Sequence, residues 1–200
     1  LVVGGVAHDL NNSLAVVVGQ VQLLYPFISQ KEQHRIQLIE DLVVSSSKDV
    51  LQMLSMIRGS LETPYIQNLI PILEKNNNIL QQTMSEHIQL FFQKETDEIF
   101  IYMSTTDIQL ALLNIMQNAV ESVSNQQDGK IWIDVWCTEE HVFIHIEDSG
   151  PLIPQQIRQY IFEPFYTSKA QNHIGIGLTV SQKIIEEHQG TIVLQENKYS

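Results

Sequence analysis

The stretch "TTDIQLALLNIMQNAVESV", Thr105 to Val123, sets the frame for the rest of the chain. Ile108, Leu112, Ile115, Met116 and Ala119 recur at helical spacing, which predicts a helix with one strongly apolar face. Two carboxamides, Asn114 and Asn118, interrupt it four residues apart, so they share a face one turn from each other. Two such side chains can turn oxygens toward a hard cation such as Mg²⁺. A pair of buried amides satisfied by backbone groups is the alternative at this point.

The segments around this helix supply a sheet. "HIQLFFQ" and "EIFIYMS" before it, and "GKIWIDVWCT" and "EHVFIHIED" after it, carry alternating or clustered apolar residues bounded by polar turns, and read as strands. The second pair is joined by a Thr-Glu-Glu turn. Residues 66–84 predict a further helix, Leu178 to His188 another, and "GTIVLQE" a last strand. Mixed helices and hairpin-connected strands define an α+β sandwich of one sheet and helices.

Two motifs in this region carry chemistry. In "EDSGPLIP" a strand ends in Asp148 and a turn containing Gly150. A carboxylate there accepts a hydrogen bond from an exocyclic amine such as adenine N6, and the glycine admits a ligand to the backbone. Asp-Ser-Gly is also ordinary turn chemistry. In "NHIGIGLTVSQKII", Gly175 and Gly177 precede a helix whose first amides suit phosphate, although two glycines match neither the Walker nor the Rossmann spacing.

The first third of the chain has another rhythm. Val3, Ala7, Leu10, Leu14, Val17, Val21, Leu24 and Ile28 alternate steps of four and three, a heptad seam. His8, Asp9 and Asn12 fall off that seam, with His8 and Asn12 one turn apart. Pro26 and "SQKEQ" end the helix, and Ile36, Ile39, Val43, Val50, Met53 and Ile57 mark a second one. An antiparallel hairpin buries little of such a seam alone, so the pattern predicts a four-helix bundle made by two copies. Packing of the seam on the rest of the same chain is the alternative. The boundary falls near Ser60 to Pro64, giving residues 1–62 as the helical hairpin and 63–200 as the α+β domain.

Composition narrows the function classes. A formal net charge of −12 over 200 residues opposes phosphate-tracking nucleic-acid binding, which needs basic patches. The single Cys137 excludes an internal disulfide framework and a Cys-rich zinc site. No apolar run reaches the roughly 18 residues of a membrane span, and no signal-peptide pattern opens the chain, so a cytoplasmic piece is expected. The absent initial methionine and the helical register at the start predict a fragment.

Taken in order, these motifs resemble the boxes of sensor histidine kinases. "VAHDLNNSL" is similar to the phosphoacceptor box, "LLNIMQNAVES" to the N box, "EDSGPLIP" to the G1 box, "IFEPFYTSK" to the F box and "HIGIGL" to the G2 box. The resemblance runs from Gly4 to about Glu196. It implies a dimerisation and histidine-phosphotransfer hairpin, then a catalytic ATP-binding domain of the Bergerat type shared with gyrase and Hsp90. His8 would be the phosphoacceptor, Asp9 its proton acceptor or orienting group, and Asn12 the residue that places a water during dephosphorylation of a partner. Asn118 would ligate Mg²⁺, Asn114 support the phosphates, Asp148 read adenine and Gly150 shape its pocket. Lys169, Gly175 and Gly177 complete the ATP-binding set, the two glycines closing a lid over the triphosphate.

The resemblance also implies a homodimer, an upstream sensor region outside this chain, and a response regulator receiver domain as acceptor of the phosphoryl group. The chain departs from the family pattern at four positions and in the length of one segment. Leu152 replaces the second glycine of the G1 box and His173 the first of the G2 box, Glu121 stands at an often basic position, and Ser13 replaces a common proline. The segment from Lys169 to Gly175 is short. The histidine, the metal asparagine and the adenine aspartate remain, which favours an active kinase over a degenerate module that keeps the fold without binding ATP.

Overall fold

The computed structural model describes residues 13–14, 16–29, 32–40, 43, 62–167 and 174–195. The chain divides into two compact units, one of Leu1–Gly59 with Glu163–Ile176, the other of Ser60–Phe162 with Gly177–Ser200.

The second unit is built on a three-stranded sheet. β2 (Ile88–Lys94) runs parallel to β4 (Gly129–Cys137), and β4 pairs antiparallel with β5 (Val142–Asp148), in the order β2-β4-β5. A separate two-stranded ladder joins β1 (Tyr65–Asn68) to β3 (Phe100–Met103). Alternation along β4 fixes which face is covered: Gly129, Ile131, Ile133 and Val135 are buried, and the residues between them are not. On the open face the cross-strand pairs Phe91 with Trp132 and Trp136 with Phe143 stack at centroid distances of 5.8 and 5.3 Å.

Three helices complete this unit: α1 (Ile70–Thr83), α2 (Thr105–Val123) and α3 (Gly177–Glu187). α2 is the central one, packing against α1, α3, β4 and β5. Its Ile108, Ala111, Leu112, Met116, Ala119 and Val123 are buried, and Ile115, expected on the same face, is half-buried. Leu73, Met116, Ile131 and Ile133 are wholly inaccessible, and each such side chain stabilises the fold by about 1.5–3 kcal/mol. Asn76, also wholly buried, donates from Nδ2 to the Gln109 carbonyl at 3.1 Å and ties α1 to α2.

Two expectations need correction here. The helix read over 66–84 begins at Ile70, because Tyr65–Asn68 is taken up by pairing with β3. Pro71 in its first turn and Asn68, whose Oδ1 accepts from Ile70 N and Ile99 N, mark the boundary. The last strand expected at "GTIVLQE" is absent among the described residues: 191–195 pair with no strand, and Val193 is 70% exposed. An apolar alternation becomes a strand only where an edge accepts its backbone groups.

In the first unit, residues 13–14, 16–22, 32–40 and 43 are helical, and a short 3₁₀ turn at Tyr25–Phe27 follows the first stretch at Pro26. Ser29 and Glu32 form a capping box ahead of the second stretch, with Glu32 Oε2 accepting from Ser29 N at 3.0 Å and Ser29 Oγ at 2.7 Å. Those bonds hold the Glu32 carboxyl below the usual carboxylate range. Ile36 is buried, Leu14, Val21, Ile28 and Val43 are half-buried, and Val17, Leu24 and Ile39 are exposed. The remaining seam positions lie outside the described residues. Among the described residues no helix is long and apolar enough to cross a membrane.

Candidate functional site

The position of α2 is fixed at its N-terminus and along its middle by polar contacts. At its N-terminus the Ser104 hydroxyl accepts from Asp107 N, and Glu62 Oε2 accepts from Thr106 N at 3.0 Å and from Ser104 Oγ at 3.1 Å. A carboxylate at the positive end of a helix is stabilised there, and the Thr106 N–H above all holds the Glu62 carboxyl below the usual carboxylate range. The buried Ser104 N–H donates to His188 Nε2 at 3.0 Å, while His188 Nδ1 lies 2.7 Å from the Ile184 carbonyl. That pattern assigns the proton to Nδ1. Further along, the buried Ser181 hydroxyl of α3 reaches the Ala111 carbonyl at 3.1 Å, and Asn114 Nδ2 donates to the Gly177 carbonyl at 3.4 Å.

Asn114 is therefore 3% exposed and engaged with the start of α3. Asn118, one turn on, is half-buried, and its carboxamide has no hydrogen-bond partner among the described residues. Ser122, a further turn on, meets the turn after β5. A Cβ built on Gly150 would fall on Ser122 Oγ and lie 2.5 Å from Asp148 Oδ1, so only glycine fits without a shift. Gly150 N–H donates to Asp148 Oδ1 at 2.8 Å, which orients the carboxylate and leaves Oδ2 open. Ser149 clasps this turn from below, its Oγ accepting from Lys130 N and donating to Gln126 Oε1. Where the chain leaves this unit at Phe162 and re-enters it at the start of α3, Thr179 Oγ1 donates to the Phe162 carbonyl at 2.9 Å.

The intervening segment belongs to the other unit. Phe165 adopts φ 66° and Gly175 φ 76°. A Cβ on Gly175 would strike the Tyr166 carbonyl and lie 2.8 Å from the Phe165 carbonyl carbon, so the neck of this loop demands glycine. Gly177 does not: a Cβ there would lie 3.9 Å from the Asn114 side chain, an ordinary contact.

A helix bearing an amide ladder, a strand ending in a carboxylate and a Gly-shaped turn can be set against known proteins. Residues 103–199 match the family described as "Histidine kinase-, DNA gyrase B-, and HSP90-like ATPase". The signal transduction histidine-protein kinase AtoS of Escherichia coli is 33% identical over 192 residues, 94% of this chain and 31% of that protein. The catalytic domain of histidine kinase ThkA aligns with a TM-score of 0.58 and 28% identity, covering 64% of this chain and 82% of that one. This chain carries, at residues 103–199, the ATPase domain that histidine kinases share with DNA gyrase B and HSP90. Its ATP-binding domain has the Bergerat-type α/β fold. ThkA in complex with the response regulator TrrA shares the fold over 98% of this chain and 57% of that chain, with a TM-score of 0.69 at 23% identity. The chain spans about a third of the length of AtoS.

Of the residues singled out in the sequence, Asn114, Asn118, Asp148, Gly150 and Gly177 lie in one unit, on α2, β5, the turn after it and the start of α3. Gly175 lies in the other. His8, Asp9, Asn12, Lys169 and His173 lie outside the described residues. Sequence reasoning missed Ser122, although it continues the four-residue spacing of Asn114 and Asn118. It also missed Glu62, Ser149 and Ser181, whose partners are distant in sequence.

Proposed function

We propose that this chain is the core of an ATP-dependent protein histidine kinase that autophosphorylates His8 and passes the phosphoryl group to an aspartate of a response regulator receiver domain. The observation that carries the reading is the half-buried carboxamide of Asn118, without a hydrogen-bond partner among the described residues and one turn from Asn114 on the helix that meets the Asp148 and Gly150 turn. An amide oxygen so placed suits a hard cation, and an oriented carboxylate with one open oxygen suits an exocyclic amine. The site residues therefore fit Mg²⁺ and ATP. Mg²⁺ would neutralise charge on the phosphates, which is most of what phosphoryl transfer requires besides positioning.

Each residue then has a role. Asp148 holds the adenine amine, Gly150 keeps the pocket open, Asn118 provides an oxygen to the metal, and Asn114 supports the phosphate region while anchoring α3. Gly175 and Gly177, with Lys169, border the lid. The neutral imidazole of His8 attacks the γ-phosphate, Asp9 orients the ring or takes its proton, and Asn12 places the water that later releases phosphate from the partner. Residues 1–62 form the dimerisation and phosphotransfer hairpin and residues 63–200 the catalytic domain. A homodimer is supported by apolar side chains left exposed on the helical unit, among them the seam residues Val17 at 43% and Leu24 at 47%. The response regulator as partner is supported by the ThkA complex with TrrA. The reaction would take place in the cytoplasm, with a sensor region upstream in the whole protein.

The test is incubation with γ-labelled ATP and Mg²⁺ followed by acid and base treatment. An acid-labile, base-stable label, lost in His8→Gln while Mg-ATP binding and thermal stability stay at wild type, is the expected result. A wild-type chain that takes no label and binds no Mg-ATP would favour the non-catalytic module. A label retained in His8→Gln would assign the acceptor to another histidine.

A further inference from the structure

The ladder Asn114, Asn118, Ser122 climbs one face of α2 in steps of four, and its last member reaches the strand-end carboxylate. Ser122 Oγ and Asp148 Oδ1 converge on the one small space that a Cβ at Gly150 would fill. Asp148 Oδ1 is already taken by the Gly150 N–H at 2.8 Å. Ser122 Oγ and Asp148 Oδ2 have no hydrogen-bond partner among the described residues. The turn thus offers a ligand one open carboxylate oxygen, an acceptor only, beside one hydroxyl that can donate.

This arrangement distinguishes the two purines. Guanine presents two parallel donors, its ring N–H and its 2-amino group, which a carboxylate grips best with both oxygens free. Adenine presents one amine donor flanked by ring nitrogens that accept. A carboxylate cannot satisfy a ring acceptor, whereas a serine hydroxyl can. Resting on the reading that ATP binds at Asp148, we propose that Ser122 is a specificity-determining residue. Its hydroxyl donates, directly or through one water, to a ring nitrogen beside the amine held by Asp148, and so selects adenine over guanine nucleotides.

The test measures dissociation constants of Mg-ATP, Mg-GTP, 1-deaza-ATP and 7-deaza-ATP for the full chain and for Ser122→Ala. Alanine is the strongest helix former, so the variant keeps α2, and its melting curve verifies this. Loss of one hydrogen bond predicts a roughly fivefold to tenfold weaker binding of ATP by Ser122→Ala, with GTP unchanged. One of the two deaza analogues, which lack the ring acceptors flanking the amine, should show the same loss on the wild type and no further loss on the variant. Equal weakening of ATP and GTP, undiminished ATP binding, or deaza penalties that persist in full on Ser122→Ala would each overturn the role of Ser122. A wild-type chain that binds no adenine nucleotide would instead overturn the reading on which it rests.

Discussion

Gly175 and Gly177 look equivalent in "HIGIGL", yet the structure separates them, and replacing each by alanine tests that separation. At Gly175 the backbone is left-handed, with φ 76°, where an L-residue costs about 1–2 kcal/mol. The new Cβ would also meet the Tyr166 carbonyl group and the Phe165 carbonyl carbon at 2.8 Å. These are backbone atoms that no rotamer change can move aside, and overpacking of that kind costs about 1–3 kcal/mol more. Gly175→Ala should therefore open the neck of the loop by about 2–5 kcal/mol in total. The cost is local, so it should appear as lost hydrogen-exchange protection around Tyr166, whose N–H bonds to the Glu163 carbonyl, before it appears in global unfolding. At Gly177 the nearest atoms to a Cβ are 3.9 Å away on Asn114, and the residue opens α3. Gly177→Ala should leave stability unchanged or raise it by up to about 1 kcal/mol. Mass-spectrometric hydrogen exchange with thermal melts on both variants decides. The reasoning fails if Gly175→Ala keeps wild-type protection, or if the two substitutions cost the same.

Asn118→Ala should weaken Mg-ATP binding about tenfold or more, the scale of a contact to a charged ligand, without lowering the melting temperature, since the carboxamide holds nothing among the described residues; calorimetry in the presence and absence of Mg²⁺ reads both. Glu62 contributes stability through a depressed carboxyl pKa, so its contribution is complete above about pH 4.3, the unfolded value, and disappears as pH falls through the lower folded value. Glu62→Gln should flatten the acid limb of the melting profile relative to wild type, and an unchanged limb would discount the cap. Charged residues at Leu14 and Val21 should yield monomers in sedimentation, and a wild-type chain that is itself monomeric at high micromolar concentration would end the dimer proposal.

What the sequence made legible was local. The period of Ile108, Leu112, Met116 and Ala119 named α2, and the apolar pattern of "GKIWIDVWCT" named β4, because both signals come from residues a few positions apart. The amide pair and Asp148 stood out as polar groups in apolar elements. Residues whose meaning depends on a remote partner were silent. Nothing near Ser104 announces His188, 84 positions away, and nothing near Tyr65 announces Met103. β1 was absorbed into the following helix because Ile66 fits an apolar period, and only Pro71 argued for a later start. Ser122 was hidden for another reason: a serine in a helix is unremarked until its neighbour proves to be a glycine with no room for a Cβ.

The bond from Thr179 Oγ1 to the Phe162 carbonyl spans the base of the excursion Glu163–Ile176, joining two points of one unit that the chain leaves and re-enters. Because that stitch holds the exit and re-entry points at a fixed separation, the length of the excursion is uncoupled from the register of α3. Closing a loop between fixed ends grows only logarithmically costlier, by about 0.6 kcal/mol for each doubling. Insertions and deletions between Phe162 and Gly177 are thus the changes that this architecture absorbs most readily. A short excursion and a long one can leave from and return to the same two points, and variation in the loop can proceed without resetting Asn114.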